Sequence, residues 1–421
     1  MSLIDAAFVG NARSSLELAA LGPASAVSDS AHLPLLFLSI AATNLISVNA
    51  TDTATVARVS RMALSVGAVC SVGLAAALYA GAAPLCALYC GKAGAALVPA
   101  AATYVSVRAL ALPAVVITTI AQAICIGTKD SQTPMVSVAV AAVCNLLGDF
   151  WWVQPWGMQG AAAATAASQV LAAVLLLRVL HKRGFLERKT ENQTISRRVT
   201  FQHLISFAPF LFVMSVKIFW HNACSATAAS LGGIPAAAHT AVLSVAMVCM
   251  VLGDVGSSLS QAFLPPFLRH QTFDMPAALP TIRQLLKCTL SISATVMTLA
   301  ALLIGVWGGS ISSDPAVVTE MRRVLPWILA TLSFHGSVVT LEGLLLSRQK
   351  FMGLSVCYSF LAVIVAGFSW ATRQFHWGLS GVWGCYLSFC CIRFGAFLTL
   401  GELIRPRHWF QRPWQTKTEC R

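Results

Sequence analysis

Apolar stretches of at least about 18 residues recur along the chain with short polar joints between them, the pattern of helices long enough to cross a bilayer. They lie near 18–48, 62–90, 97–126, 134–153, 157–180, 204–230, 234–265, 286–308, 324–346, 351–371 and 379–403. Several are longer than a perpendicular helix needs, which predicts tilt or kinks. Ahead of them, Met1–Gly10 reads as the second half of a further helix. Ten residues cannot cross a hydrocarbon core of about 30 Å. They carry neither a charged n-region nor a cleavage site, so they do not read as a signal peptide. The expected fold is all-α and integral to a membrane, with twelve helices of which the first is truncated.

Composition removes the soluble alternative. Hydrophobic residues make up 57% of the chain and charged residues 10%, against about 25% charged in an average soluble domain. Too little polar surface exists to face water, so lipid is the solvent for most of the chain. The 13 cysteines lie almost entirely within the apolar spans, without a CxxC pair or a Cys/His cluster at metal-ligand spacing. They read as small polarizable packing residues, and no metal site is expected. HExxH, a Walker lysine loop, GxSxG and a carboxylate pair on a water-facing loop are all missing, so the chain is not read as an enzyme.

The net charge of +13 has a topological origin. Sorting the 28 Lys and Arg by joint puts 20 on one side and 5 on the other, with Arg108, Lys217 and Arg393 inside spans. The rich side is expected to be cytoplasmic or its organellar equivalent, where it meets anionic lipid headgroups. Both glycosylation sequons, at Asn49 and Asn192, fall on that side and would go unused. Nucleic-acid binding, which needs a basic face with aromatics on a soluble domain, is excluded.

The chain also repeats itself. Its longest polar segment, about Lys182–Gln202, separates two halves of six helices. Trp156-Gly-Met-Gln-Gly160 opens a helix in the first half, and Trp377-Gly-Leu-Ser-Gly381 opens one in the second. Upstream of each, Gln122-Ala-Ile-Cys-Ile-Gly127 and Glu342-Gly-Leu-Leu-Leu-Ser347 end helices at basic turns, at matched distances. An even helix number gives both halves one orientation, so they are parallel-related six-helix bundles with an axis along the membrane normal. The expected organisation is a first lobe over 1–181, an inter-lobe loop over 182–203, a second lobe over 204–404 and a basic cytoplasmic tail over 405–421.

A charge inside a spanning helix costs at least a few kcal/mol, so each one present has a reason. The candidates are Asp5, Asp29, Asp149, Asp254, Glu342, Lys217, Arg108 and Arg393. Arg108 and Arg393 lie within a few turns of helix ends, where long side chains snorkel to the interface. Asp149 follows Asn145 by four residues and shares its helical face. Thr165 sits on the next helix, in a run of alanines that permits close approach. With Asp5 packed there, two carboxylates, an amide and a hydroxyl converge in a low-dielectric pocket that binds a cation or takes up a proton. A polar cluster that only ties helices together remains the equal alternative. In the second half, Glu342 and Lys217 are placed to form a buried ion pair. Asp254, Ser257, Ser258, Ser260 and Gln261 make one helix polar, either as a solute-lining wall or as an inter-helix hydrogen-bonding strip. His32, His221, His239 and His335 read as hydrogen-bonded core residues rather than proton relays.

The residues of these segments resemble the multidrug and toxic compound extrusion (MATE) family over essentially all 421 positions. Carrying the resemblance are Ser2-Leu-Ile-Asp5-Ala-Ala-Phe-Val-Gly10, Leu16-Glu-Leu-Ala-Ala-Leu-Gly22, Asn145-Leu-Leu-Gly-Asp149, Trp156 to Ala161 with Thr165 and Gln169, Ala237-Ala-His239 and Leu341-Glu-Gly343. The resemblance implies an antiporter of two six-helix lobes that exports small organic, often cationic, xenobiotic or metabolite compounds in exchange for protons or sodium. The family's first-lobe cation site falls on Asp5, Asn145, Asp149 and Thr165, and its second-lobe acidic position on Glu342. Lys217 is a departure, since some members carry an acidic cation ligand on that helix. A tethered ammonium there would replace a bound sodium and favour proton coupling through the first lobe. Surroundings of Glu342 and of the Ser/Gln-rich helix look most like the plant and algal plastid branch.

No cofactor is implied beyond the coupling H+ or Na+. The expected partners are a small organic solute, the coupling cation and membrane lipid, with the chain a monomer in a plasma, vacuolar or plastid envelope membrane. Competing readings share the architecture. A major-facilitator-type carrier would show a Gly- and Arg-rich signature where Asn49-Ala-Thr-Asp-Thr-Ala-Thr-Val-Ala-Arg58 stands. A lipid-linked precursor flippase would carry more cavity basic residues than Lys217 and Arg108. A non-transporting truncated relic is the third.

Overall fold

The computed structural model describes residues 15–90, 95–187, 197–269, 272–312 and 314–403. Met1–Gly10, with Asp5, lies outside the described residues. Among the described residues, 11 helical segments are long and apolar enough to cross a membrane, and the chain is a multi-pass integral membrane protein.

In chain order the helices are α1 (Ser15–Ser30), α2 (Leu36–Val48), α3 (Thr53–Ala80), α4 (Ala82–Cys90), α5 (Val98–Gly127), α6 (Gln132–Trp156), α7 (Met158–Lys182) and α8 (Arg197–Ile205). They continue as α9 (Phe210–Ser230), α10 (Gly233–Gly253), α11 (Val255–Phe263), α12 (Met275–Ala300), α13 (Gly308–Ile311), α14 (Pro315–Ser347), α15 (Phe351–Gln374) and α16 (Gly378–Leu400). Two features depart from the sequence reading. Part of the expected inter-lobe loop is helical, as α8. A two-residue hairpin, β1 (Leu268–Arg269) and β2 (Thr272–Phe273), pairs antiparallel with Leu268 opposite Phe273.

Helices α3, α12 and α14 begin well before the apolar windows at 62, 286 and 324. An aspartate fixes each start. Asp52 accepts from the amides of Ala54 and Thr55, Asp274 from Ala277, and Asp314 from Ala316. A helix starts where a side chain satisfies its open amides, not where lipid begins, so hydropathy places these starts too late.

The chain forms two compact units. The first comprises 1–218 with 261–266, and the second 219–260 with 267–421. In the first, α5 is the hub, with α1, α2, α3, α4 and α7 packed around it, while α6 packs mainly on α7. In the second, α14 is the hub for α10, α12 and α16, and α15 packs on α16. The two hubs are buried over much of their length; Tyr104, Ile120 and Ile124 on α5 and Ile328, Leu341 and Leu345 on α14 are fully enclosed.

The internal repeat is visible joint by joint. At the end of α5, Lys129 takes φ +63°, its amide donates to Ile126, and the Asp130 amide reaches back to Cys125 at 2.8 Å. At the end of α14, Gln349 takes φ +55°, its amide donates to Leu346, and the Lys350 amide reaches Leu345 at 3.0 Å. Both are left-handed caps that satisfy the last carbonyls of a helix. At the next joint Gly157 and Gly378 take positive φ in their turn, beside the exposed Trp156 and Trp377. Such tryptophans suit the membrane–water interface.

Candidate functional site

On α6 a single stripe is buried at four-residue spacing: Ser137, Ala141, Asn145, Asp149 and Val153. The stripe faces α7, whose buried positions include the small or hydroxyl-bearing Gly160, Ala161, Ala164, Thr165 and Ser168. Backbones approach closely here. A Cβ on Gly160 would lie 2.1 Å from the Trp152 carbonyl oxygen, and one on Gly148 2.8 Å from the Ala164 Cβ. From α1, the Glu17 carboxylate accepts from the Met158 amide at 3.0 Å, which ties α1 to the start of α7.

In this interface the Asn145 amide donates to Asp149 Oδ2 at 2.7 Å, and both residues are 0% exposed. Thr165 is buried at the same interface, and its carbonyl accepts from the Ser168 hydroxyl. Three of the four residues expected in the first-lobe site thus share one buried helix–helix seam; Asp5 lies outside the described residues. The donors are hard oxygens, suited to a proton or a hard cation rather than to a soft metal. A neutral amide orients the carboxylate without cancelling its charge.

The second unit treats its carboxylate differently. Glu342 on α14 and Arg393 on α16 are each 2% exposed and form an ion pair through Oε2 and Nη2. The Tyr358 hydroxyl on α15 donates to Glu342 Oε1 at 3.1 Å. Rings of Tyr358, Phe389 and Phe397 lie 5.4, 5.3 and 5.5 Å from the guanidinium carbon. Two expectations are corrected here. Arg393 does not snorkel to an interface; it is enclosed at mid-helix because a carboxylate and three aromatic faces replace water. It also supplies the countercharge for Glu342 expected from Lys217, whose ammonium lies 5.8 Å over the Phe210 ring. Arg108 likewise pairs, with Asp29 at 2.7 Å.

The polar strip around α11 divides in use. Within the second unit, the Ser260 hydroxyl donates to the Thr340 carbonyl at 3.0 Å, and Ser347 donates to the Ser260 carbonyl. Within the first, the Gln261 side chain accepts from Asn44 at 3.3 Å and its carbonyl accepts from Ser47. Ser257 and Ser258 are half-buried. Asp254 instead leaves its side chain 59% exposed, with His335 Nε2 at 3.2 Å from both its Oδ1 and the Met250 carbonyl. Both partners are acceptors, so Nε2 carries the proton. His239 meets Ser225 and His221 meets Tyr386, each at 3.3 Å.

Sequence reasoning singled out Arg393 but not its pairing with Glu342, and it missed Tyr358. A signal existed for the first: Phe389, Arg393 and Phe397 repeat every four residues, an aromatic stripe with a cation at its centre. Among the described residues no cluster of three or more His, Cys, Asp or Glu is placed to hold a metal ion.

Comparison with known proteins completes this picture. The MatE family profile matches residues 1–151. Protein DETOXIFICATION 47, chloroplastic, of Arabidopsis thaliana is 29% identical over 406 residues, covering 94% of this chain and 74% of that protein. Protein DETOXIFICATION 43 of the same plant is 27% identical over 59% of this chain and 46% of its own length. The fold matches a solved outward-facing multidrug resistance MATE family transporter of the MOP superfamily, with TM-score 0.79 at 16% identity over 96% of this chain and 90% of that one. A MATE structure in complex with MaD3S matches with TM-score 0.80 at 16% identity, over 96% and 90% of the two chains. The family profile over residues 1–151 and the plant relatives, on a shared fold, mark this chain as a membrane transporter similar to the MATE family.

Proposed function

We propose that the protein is a secondary antiporter that exports small organic compounds in exchange for a proton or sodium ion, with coupling at Asp149, Asn145 and Thr165. The observation that carries this reading is a fully buried carboxylate, hydrogen-bonded by an amide, on a close-packed seam inside a lipid-spanning pair of helices. An ionised carboxylate is expensive at that depth. Uptake of a proton or a sodium ion at Asp149 removes the cost, so the seam has two packings of different energy, and the ion selects between them. Alternating access then follows from repacking of α6 against α7.

The driving force suffices. One proton entering down 100 mV and one pH unit supplies about 3.7 kcal/mol, a solute gradient of about five hundredfold. The names of the relatives support organic solutes: one is a multidrug resistance transporter and others are DETOXIFICATION proteins. Among plasma, vacuolar and plastid membranes, the chloroplastic relative favours the plastid envelope. The flippase reading loses ground because both Arg108 and Arg393 are paired with acids rather than offered to a lipid phosphate.

The test is efflux of a fluorescent organic cation from proteoliposomes holding the full chain, under an imposed pH or sodium gradient. Gradient-driven flux in wild type and its loss in Asp149→Asn supports the reading. Equal flux in both proteins, or none from folded wild type, defeats it.

A further inference from the structure

The Glu342–Arg393 pair asks what a buried charge pair does in a transporter where another buried carboxylate, Asp149, accepts a hydrogen bond from a neutral amide. An arginine does not lose its proton in a protein. While Arg393 stays in place, protonating Glu342 would strand a guanidinium in the core, and a sodium ion would have to displace it. Displacement is opposed on every side. One carboxylate oxygen takes the guanidinium and the other takes the Tyr358 hydroxyl. The guanidinium in turn lies within ring-contact distance of three aromatic side chains from two helices. The pair is therefore net neutral whether or not an ion gradient is present.

The repeat sharpens the point. Aligned on the matched joints, Glu342 falls opposite Gln122 and Arg393 opposite Ala172, so the first half carries neither charge. Asn145 and Asp149 fall opposite Val365 and Ser369, so the second half lacks the carboxylate–amide pair. Among the described residues, the buried carboxylates Asp149 and Glu342 thus stand at different places in the repeat, one beside an amide and the other paired with a guanidinium.

We propose that Arg393 is a built-in counter-cation that holds at Glu342 the place of a transported proton or sodium ion, and so confines ion coupling to the single site at Asp149. Arg393 is a positioning residue that fixes the number of ions moved per cycle. The proposal rests on the antiport reading only for its transport consequence; its ion-binding consequence stands apart and is measured without transport.

The experiment compares full-length wild type, Arg393→Met and Arg393→Lys, purified in detergent and reconstituted in proteoliposomes. Thermal unfolding is followed from acid to alkaline pH, in sodium and in choline chloride. In Arg393→Met, Glu342 has lost its resident cation and must recruit one. That variant should be markedly more stable in acid or in sodium than in alkaline choline, whereas wild type and Arg393→Lys lack this added dependence. In vesicles, the gradient at which solute flux reverses should report one more cation per solute for Arg393→Met and an unchanged ratio for Arg393→Lys. Equal destabilisation of Arg393→Met under all conditions, or failure to fold even in acid and sodium, overturns the proposal and leaves the pair structural. An unchanged ion ratio in an Arg393→Met protein that transports overturns it too. If wild type shows no flux, the antiport reading fails while the unfolding series still decides the role of Arg393.

Discussion

In the first unit Asp149 lies buried against the amide of Asn145; in the second, Glu342 lies buried against the guanidinium of Arg393. Both carboxylates sit on helices that cross a membrane, and both are shut away from water. The difference lies in what a neutralising ion gains. Under the proposed coupling, a proton or cation arriving at Asp149, which an amide orients, changes the energy of the seam around it. A guanidinium meets the charge already. On this proposal burial alone does not make a carboxylate a coupling site; the charge of its partner decides.

The largest expected effect comes from breaking the second pair. Glu342→Gln strands Arg393 in the core and should cost about 3–5 kcal/mol, seen as a lower thermal midpoint in detergent. The neutral double variant Glu342→Gln with Arg393→Met should recover most of that loss, since a buried pair replaced as a whole is close to neutral. Asp149→Asn should behave in the opposite manner. Its shape and hydrogen-bonding capacity are nearly kept, so folding survives, while gradient-driven flux falls by about 5–150-fold, the range of ordinary coupling energies.

Packing probes sharpen the contrast. Gly160→Ala drives a methyl onto the Trp152 carbonyl, and Gly343→Ala drives one to within 2.6 Å of the Ser260 Cβ. Each should destabilise by about 1–3 kcal/mol. Only Gly160→Ala, which pries α6 from α7, should also change the ratio of ion to solute flux in proteoliposomes.

The smallest effect concerns the matched helix starts outside the membrane. Asp130 accepts from the amides of Gln132 and Thr133 and pairs with Arg183 at 2.7 Å. Partial burial works to raise its carboxyl, but the Thr133 hydrogen bonds and the Arg183 charge outweigh it and hold the carboxyl below the usual aspartate value. The corresponding Lys350 makes no side-chain cap for α15. Because the folded value is depressed, the stabilisation is complete above the unfolded value of about 4 and fades as pH falls through the folded one. Asp130→Ala should cost about 0.5–1 kcal/mol at neutral pH, discounted for solvent screening. The loss should appear as faster amide exchange at the start of α6 and not of α15.

Much of this was legible in the sequence because it is local. Apolar length gave the spans, a four-residue spacing put Asn145 and Asp149 on one face, and the two Trp-Gly joints exposed the repeat. What escaped depends on distant choices. Nothing in linear order says that Glu342 meets Arg393, 51 residues on, rather than Lys217. The early helix starts at Thr53, Met275 and Pro315 escaped because hydropathy reports lipid while capping reports hydrogen bonds. Helix α8 escaped because a short polar helix has no apolar run to mark it.

Gradient-driven efflux from proteoliposomes of equal protein content, with Asp149→Asn set beside the neutral double variant Glu342→Gln/Arg393→Met, tests the asymmetry most directly. The expected result is loss of coupled flux in Asp149→Asn and retention in the double variant, with an unchanged ion-to-solute ratio. Retained coupling in Asp149→Asn together with its loss in a folded double variant would contradict the assignment and move ion coupling to the second unit.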